Sequence, residues 1–130
     1  MPSKTGRYVL DAHAWIEYLR GSPPGHRVRK LVDSGLIYTN ALTLSEVVDH
    51  VARQGQDSAL AARAVKTLSD IIDIDDELAI RAAKRHARMK RSLRKATLVQ
   101  AYLVETAKKL GAEIVTGDKK LISGRAILIK

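Results

Sequence analysis

Short apolar runs ending in polar or acidic residues alternate with longer stretches of helical periodicity along nearly all of the chain, and this alternation restricts its fold most. Arg7-Tyr8-Val9-Leu10 ends in Asp11 and is too short for a helix, so it is predicted as a buried strand. His13 to Arg20 follows as a helix stopped by Gly21. Pro23 and Pro24 suit the start of the next helix, with Val28, Leu31 and Val32 on one face and Gly35 as its stop. Leu36-Ile37-Tyr38-Thr39 is a second strand, and Thr43 to about Arg53 a helix built on Leu44, Val47, Val48 and Val51. Asp57 is placed to cap a helix through Leu68, ahead of a short strand at Ile71-Ile72-Asp73-Ile74. A helix from Asp75 to about Met89, a basic linker from Lys90 to Lys95, and a helix capped by Thr97 and ended by Gly111 come next. Ala112 to Thr116 and Ala126 to Ile129 close the series as strands.

Strands alternating with helices imply a parallel sheet covered on both faces. The expected fold is therefore an α/β three-layer α/β/α sandwich with a mainly parallel central sheet, in one domain over residues 1–130. No internal linker, repeat or low-complexity segment divides it. The longest apolar runs fall far short of a membrane span, and the apolar run that leads to Asp11 is only three residues long, Tyr8-Val9-Leu10, too few for a signal peptide. A cytoplasmic protein without membrane contact is expected. Cysteine is absent, which excludes disulfides, and four histidines (His13, His26, His50, His86) show no zinc-ligand spacing. Neither a glycine-rich phosphate loop nor a G-x-S-x-G nucleophile elbow occurs. Trp15 reads as core, beside Ile16 and Leu19.

Charge is divided by position. Residues 1–78 carry 9 basic and 11 acidic side chains, whereas residues 79–130 carry 14 basic and 3 acidic ones. Arg81, Lys84, Arg85, Arg88, Lys90, Arg91, Arg94 and Lys95 form a run of bases without an acid, directly after Asp70, Asp73, Asp75, Asp76 and Glu77. Such a run is either a solvated helix face or a surface for a polyanion. Aromatic residues make up 4% of the chain and Phe is absent, so base stacking is a poor route to nucleic acid and contacts to phosphate are the expected ones.

In open parallel sheets the chemistry collects beyond the carboxyl ends of the strands. Asp11 follows the first strand, Asp118 follows Glu113–Thr116 through Gly117, and Glu46 is expected in the first turn of the helix after the second strand. Brought together by the sheet, they make one acidic pocket. Carboxylates clustered without bases normally hold a hard cation, for which Mg²⁺ or Mn²⁺ is the natural occupant. Such an ion activates water and stabilises the charge of a displaced phosphodiester, and an adjoining basic surface would draw in the substrate that the pocket alone repels. Each residue also has a plainer reading: Asp11 as a helix cap, Asp118 as part of a Gly-Asp turn, and Glu46 as the far end of a Thr-Leu-Ser-Glu capping box begun by Thr43. Asp49 and His50, one turn beyond Glu46 on a similar face, are candidates for supporting residues.

With Tyr8-Val9-Leu10-Asp11-Ala12-His13-Ala14-Trp15 at the start, Leu44-Ser45-Glu46-Val47 in the middle, Asp-Asp-Glu-Leu-Ala-Ile-Arg-Ala-Ala from residue 75, and Leu98-Val99-Gln100 leading to Val115-Thr116-Gly117-Asp118, the chain resembles a PIN domain of the VapC type, the toxin ribonucleases of prokaryotic toxin–antitoxin pairs. The resemblance covers nearly the whole chain. It implies a metal-dependent endoribonuclease in which four acidic residues gather one or two Mg²⁺ or Mn²⁺ ions. Asp11, Glu46 and Asp118 match three of those positions, and the fourth, ordinarily Asp, is Gln100 here. Gln keeps a carbonyl oxygen able to ligate a metal but loses a charge. Glu105 lies about 140° round the helix from Gln100 and is a poor substitute.

The expected machinery is thus Asp11, Glu46 and Asp118 as metal ligands, Gln100 as a weakened fourth, and Arg85, Arg88, Arg91 and Arg94 as contacts to the RNA backbone, with Arg81 and Lys84 close behind. The resemblance further implies a small antitoxin protein as partner and a homodimer. A rival is a PIN-fold module that binds RNA or protein without cutting, which Gln100 favours. A third reading, an α/β scaffold or DNA-binding protein using the basic run, is opposed by the acids at the strand ends.

Overall fold

The computed structural model describes residues 4–118 and 126–129. Of the single domain expected over 1–130, residues 1–3, 119–125 and 130 lie outside that set. Strands β1 (Arg7–Leu10), β2 (Leu36–Asn40), β3 (Asp70–Ile72), β4 (Glu113–Thr116) and β5 (Ala126–Leu128) form one sheet in the order β3-β2-β1-β4-β5, with every described pairing parallel. Between them run α1 (Ala12–Arg20), α2 (Pro23–Ser34), α3 (Ala41–Arg53), α4 (Ser58–Leu68), α5 (Asp76–Ser92) and α6 (Leu98–Leu110). The α/β sandwich expected from the alternation is present.

Strands buried on both faces need apolar residues on both, and β1 supplies them from adjacent positions. Leu10 packs with Ala14 and Trp15 of α1, Val28 and Val32 of α2, Val47 of α3 and Val65 of α4. Its neighbour Val9 joins the second cluster, with Leu103 and Ala107 of α6 and Ile114 of β4. The chain thus lays α1–α4 on one face while moving from β1 to β3. It then returns through α5 and α6 on the other face to place β4 on the far side of β1. That reversal puts a topological switch point between β1 and β4, where crevices open at the strand ends.

Helix ends follow their expected chemistry with two exceptions. Gly21 and Gly111 close α1 and α6 with positive φ, 65° and 61°. An added Cβ on Gly25 would lie 2.0 Å from the Glu17 carbonyl oxygen, so glycine there permits the close α1–α2 approach. The first exception is α3, which begins at Ala41 instead of Thr43. Asn40, the last residue of β2, caps it by accepting the Thr43 N–H at 2.8 Å, so strand passes into helix without a loop. The second is α5, which absorbs Lys90 to Ser92 from the expected linker. No glycine or proline interrupts those residues, and Leu93 N–H still bonds to Met89 O at 2.8 Å.

Candidate functional site

Asp11, Glu46, Gln100 and Asp118 line one open cavity of about 530 Å³ at the switch point, together with His13, Thr97 and Gly117. Three sequence expectations about this pocket are met in placement: both strand-end aspartates and Glu46 share it. The route by which Glu46 arrives differs. With Asn40 as cap, Glu46 lies in the second turn of α3, and Thr43 is an interior, fully buried helix residue. The capping-box role for Glu46 is therefore excluded.

Asp11 combines a structural and a chemical position. Its Oδ1 accepts the Ala14 N–H at 2.7 Å as the cap of α1, and its Oδ2 accepts the Thr116 hydroxyl at 2.5 Å. The same Thr116 oxygen accepts the Asp118 N–H at 2.9 Å, so one hydroxyl ties the ends of β1 and β4 together. Asp118 Oδ2 accepts Gln100 Nε2 at 2.8 Å, and Gln100 Oε1 accepts the Thr97 N–H at 2.9 Å, completing a reciprocal capping box at the start of α6. A continuous hydrogen-bonded path thus runs from α1 through both strands into α6.

Two carboxyls of the pocket are shifted in the same direction. Burial pushes the Asp11 carboxyl above its ordinary value, and Asp118 adds to the rise; bonds from Thr116 and Ala14 and the proximity of His13 work against it. Glu46 is also raised, by burial first and then by the Asp11 charge. Neither Lys nor Arg is among the described lining residues. Oxygen donors from three carboxylates sharing one cavity fit a hard divalent cation. Among the described residues no three His, Asp or Glu side chains already converge as a cation cage, so the fit is one of donor chemistry and shared cavity.

Several candidate residues have other partners. Gln100 offers no spare-handed carbonyl as its sequence reading implied: its single side-chain oxygen faces Thr97, and the end facing Asp118 is a donor. Arg85 pairs with buried Glu105 of α6 and is only part-exposed, so its guanidinium braces the α5–α6 contact instead of standing out toward a phosphate. Asp49 bridges exposed Arg53 at 3.0 Å, and His50 lines a separate cavity with Ile16, Leu19 and Gln54. Neither supports the acidic pocket. Lys84, Arg88, Arg91, Arg94 and Lys95 are exposed, as is Arg81, which pairs with Glu77 at 2.8 Å.

Two participants escaped the sequence reading. Thr116 stands next to the Gly-Asp pair, and its position as the last residue of β4 was the available signal. His13 stands two residues after Asp11, with Nε2 buried and no hydrogen-bond partner among the described residues; its ring fills the space that a side chain on Gly117 would take, since an added Cβ there would lie 2.2 Å from His13 Cδ2.

The model of the PIN domain matches residues 8–125. The chain belongs to the PIN-domain family. No curated protein matches it in sequence. Among solved structures, this PIN domain is similar to a toxin–antitoxin complex from Klebsiella pneumoniae, with TM-score 0.74, 17% identity, and coverage of 95% of this chain and 98% of that one. It is also similar to VapBC2 from Rickettsia felis bound to a promoter DNA fragment, at TM-score 0.75, 12% identity, 94% and 98% coverage. A third is VapC20 of Mycobacterium tuberculosis, a toxin that cleaves the sarcin–ricin loop, at TM-score 0.70, 19% identity, 88% and 92% coverage. At these identities the likeness is one of fold. Among the described residues of the PIN domain, no helix is long and apolar enough to cross a membrane.

Proposed function

We propose that this PIN domain is a metal-dependent endoribonuclease acting as the toxin of a toxin–antitoxin pair. One observation carries the reading: Asp11, Glu46 and Asp118, delivered by β1, α3 and the end of β4, line a single cavity at the switch point. Bound there, Mg²⁺ or Mn²⁺ would supply an activated water and stabilise charge on the scissile phosphate. Asp11 and Asp118 are held for that role by the shared Thr116 hydroxyl. Glu46 reaches the cavity from α3, whose start is anchored by Asn40 both to Thr43 N–H and, through Nδ2, to Thr106 of α6 at 3.3 Å. Family membership supports the nuclease class, and the toxin–antitoxin assemblies among similar folds support a small antitoxin protein as partner; a homodimer belongs to the same reading.

The basic stripe of α5 is the proposed rail for RNA. Lys84, Arg88 and Arg91 follow one another at spacings of four and three, so they share a helix face, and all three are exposed. Replacing all three by Ala is expected to weaken binding of single-stranded RNA and to make the slope of log affinity against log salt shallower by about 2. Fluorescence anisotropy at several salt concentrations measures both. Unchanged affinity and slope would remove the stripe from the RNA contact.

A second reading, a PIN fold that holds RNA or protein without cutting, is favoured by the Gln100–Asp118 hydrogen bond, which places an amide donor in the pocket. Incubating single-stranded RNA with the protein and Mn²⁺, against a chelator control, separates the two. The nuclease reading expects Mn²⁺-dependent internal cleavage by the natural chain and about tenfold or faster cleavage by Gln100→Asp, one further oxygen ligand being worth about 1.4 kcal/mol in the transition state. RNA bound but never cut by either form would favour the module. RNA neither bound nor cut would overturn both.

A further inference from the structure

Gln100 is committed at both ends of its side chain. The amide oxygen takes the Thr97 N–H, and the amide nitrogen gives a hydrogen to Asp118 Oδ2. The atom turned toward the carboxylates is therefore a donor, and an N–H group cannot ligate a cation. It does for Asp118 part of what a cation would do: it presents the positive end of an N–H dipole to the carboxylate and ties the end of β4 to the start of α6.

Resting on the cation reading above, we propose that the Gln100 amide replaces a second cation, so that the pocket takes one divalent ion and stays assembled with none. Thr97 makes this possible. The capping box fixes the side-chain torsions of Gln100 from behind, so the amide reaches Asp118 pre-oriented and does not depend on an ion to hold it. Glutamate at the same position would preserve length and the bond from Thr97 N–H, since Gln and Glu serve equally in capping boxes. It would also turn a carboxylate oxygen onto Asp118, a like-charge contact that a bound cation would relieve.

The test uses the full chain stripped by chelator at pH 8. Bound Mn²⁺ is counted from the electron paramagnetic resonance signal of the free ion, and thermal unfolding is followed with chelator and with Mn²⁺. The natural chain is expected to bind one Mn²⁺ per chain. Gln100→Glu is expected to bind two, to melt lower than the natural chain in chelator by about 5 °C or more, and to recover in Mn²⁺. The double variant Gln100→Glu/Asp118→Asn exchanges amide and carboxylate across the same contact. Its melting temperature in chelator is expected to return to within about 2 °C of the natural chain.

Two ions bound by the natural chain would overturn the inference while leaving the nuclease reading intact. The inference also fails if Gln100→Glu still binds one ion and melts in chelator like the natural chain, or if the exchanged pair does not restore melting. Should Gln100→Glu not fold, the stoichiometry of the natural chain and the behaviour of the exchanged pair still decide. No Mn²⁺ bound by the natural chain would overturn the inference and the cation reading together.

Discussion

Asp11→Asn is expected to lower Mn²⁺-dependent RNA cleavage by a factor of about 100 or more while the fold stands firmer. On the proposed nuclease reading, the loss follows from removing a ligand charge at the cation; losing about 2.7 kcal/mol of transition-state stabilisation corresponds to a factor of 100. The gain follows from linkage. Burial raises the Asp11 carboxyl in the folded state, so the folded protein holds that proton more tightly than the unfolded chain. Stability from this group is full below the unfolded carboxylate value of 3.8 and is lost as pH rises through the raised folded value. At neutral pH without a cation, ionised Asp11 therefore opposes folding. Asparagine removes that opposition and keeps the cap of α1, being as good an N-cap as Asp. Thermal unfolding in chelator should show a higher midpoint for Asp11→Asn at pH 7 and a smaller difference near pH 4. A drop in midpoint at pH 7 would show that the Thr116 and Ala14 bonds outweigh the burial of charge.

Trp15→Ala carries the largest expected structural effect, about 3–5 kcal/mol of lost stability. Trp15 is fully buried, packs edge-on to Tyr18 with ring centroids 5.6 Å apart, and donates its indole N–H to Thr39 Oγ1 at 2.9 Å. Thr39 in turn shares a hydrogen bond of 2.8 Å with Ser69, so the indole joins α1 to β2 and to the end of α4. Truncation leaves both a cavity and a reorganised polar pair. The midpoint of thermal unfolding by circular dichroism should fall by roughly 10–20 °C. Trp15→Phe keeps most of the apolar volume and loses the N–H bond, so a fall of about a third as much is expected. A loss under 1 kcal/mol for Trp15→Ala would mean that α1 is not fixed by this contact, and with it the aim of Asp11.

The sandwich was legible in the sequence because each element carries its own signal. The short apolar run that ends at Asp11 marks a buried strand, Gly21, Gly35 and Gly111 end helices, and Asp57 and Thr97 begin them. Two boundaries were less legible for one reason: the competing local signal was stronger than the one that prevailed. Thr43 looked like a cap because of Glu46, yet Asn40 can cap directly from the end of β2 and leaves no loop to be capped. The basic residues Lys90 and Arg91 looked like a linker, yet Lys and Arg are good helix formers, and their charge suits the last turn of α5.

Of the candidate site, the sequence made the three carboxylates that share the cavity legible. Their meeting follows from topology, since β1 and β4 are neighbours on either side of the switch point. Thr116 and His13 act through contacts between residues distant in sequence, and periodicity carries no trace of these. The pairing of Arg85 is hidden from the sequence for the same reason. Its place in a run of exposed bases conceals Glu105, twenty residues away on the helix that packs against it. Gln100 could be read as a lost charge from the resemblance, but the direction of its amide emerges only when Thr97 and Asp118 are placed around it.

The central claim is that Asp11, Glu46 and Asp118 form one cation pocket. Anomalous diffraction from crystals grown with Mn²⁺ tests it most directly. A single strong peak in the cavity, within bonding distance of carboxylate oxygens from Asp11 and at least one of Glu46 and Asp118, is the expected result. Mn²⁺ peaks elsewhere on the protein, with that cavity empty, would contradict the claim.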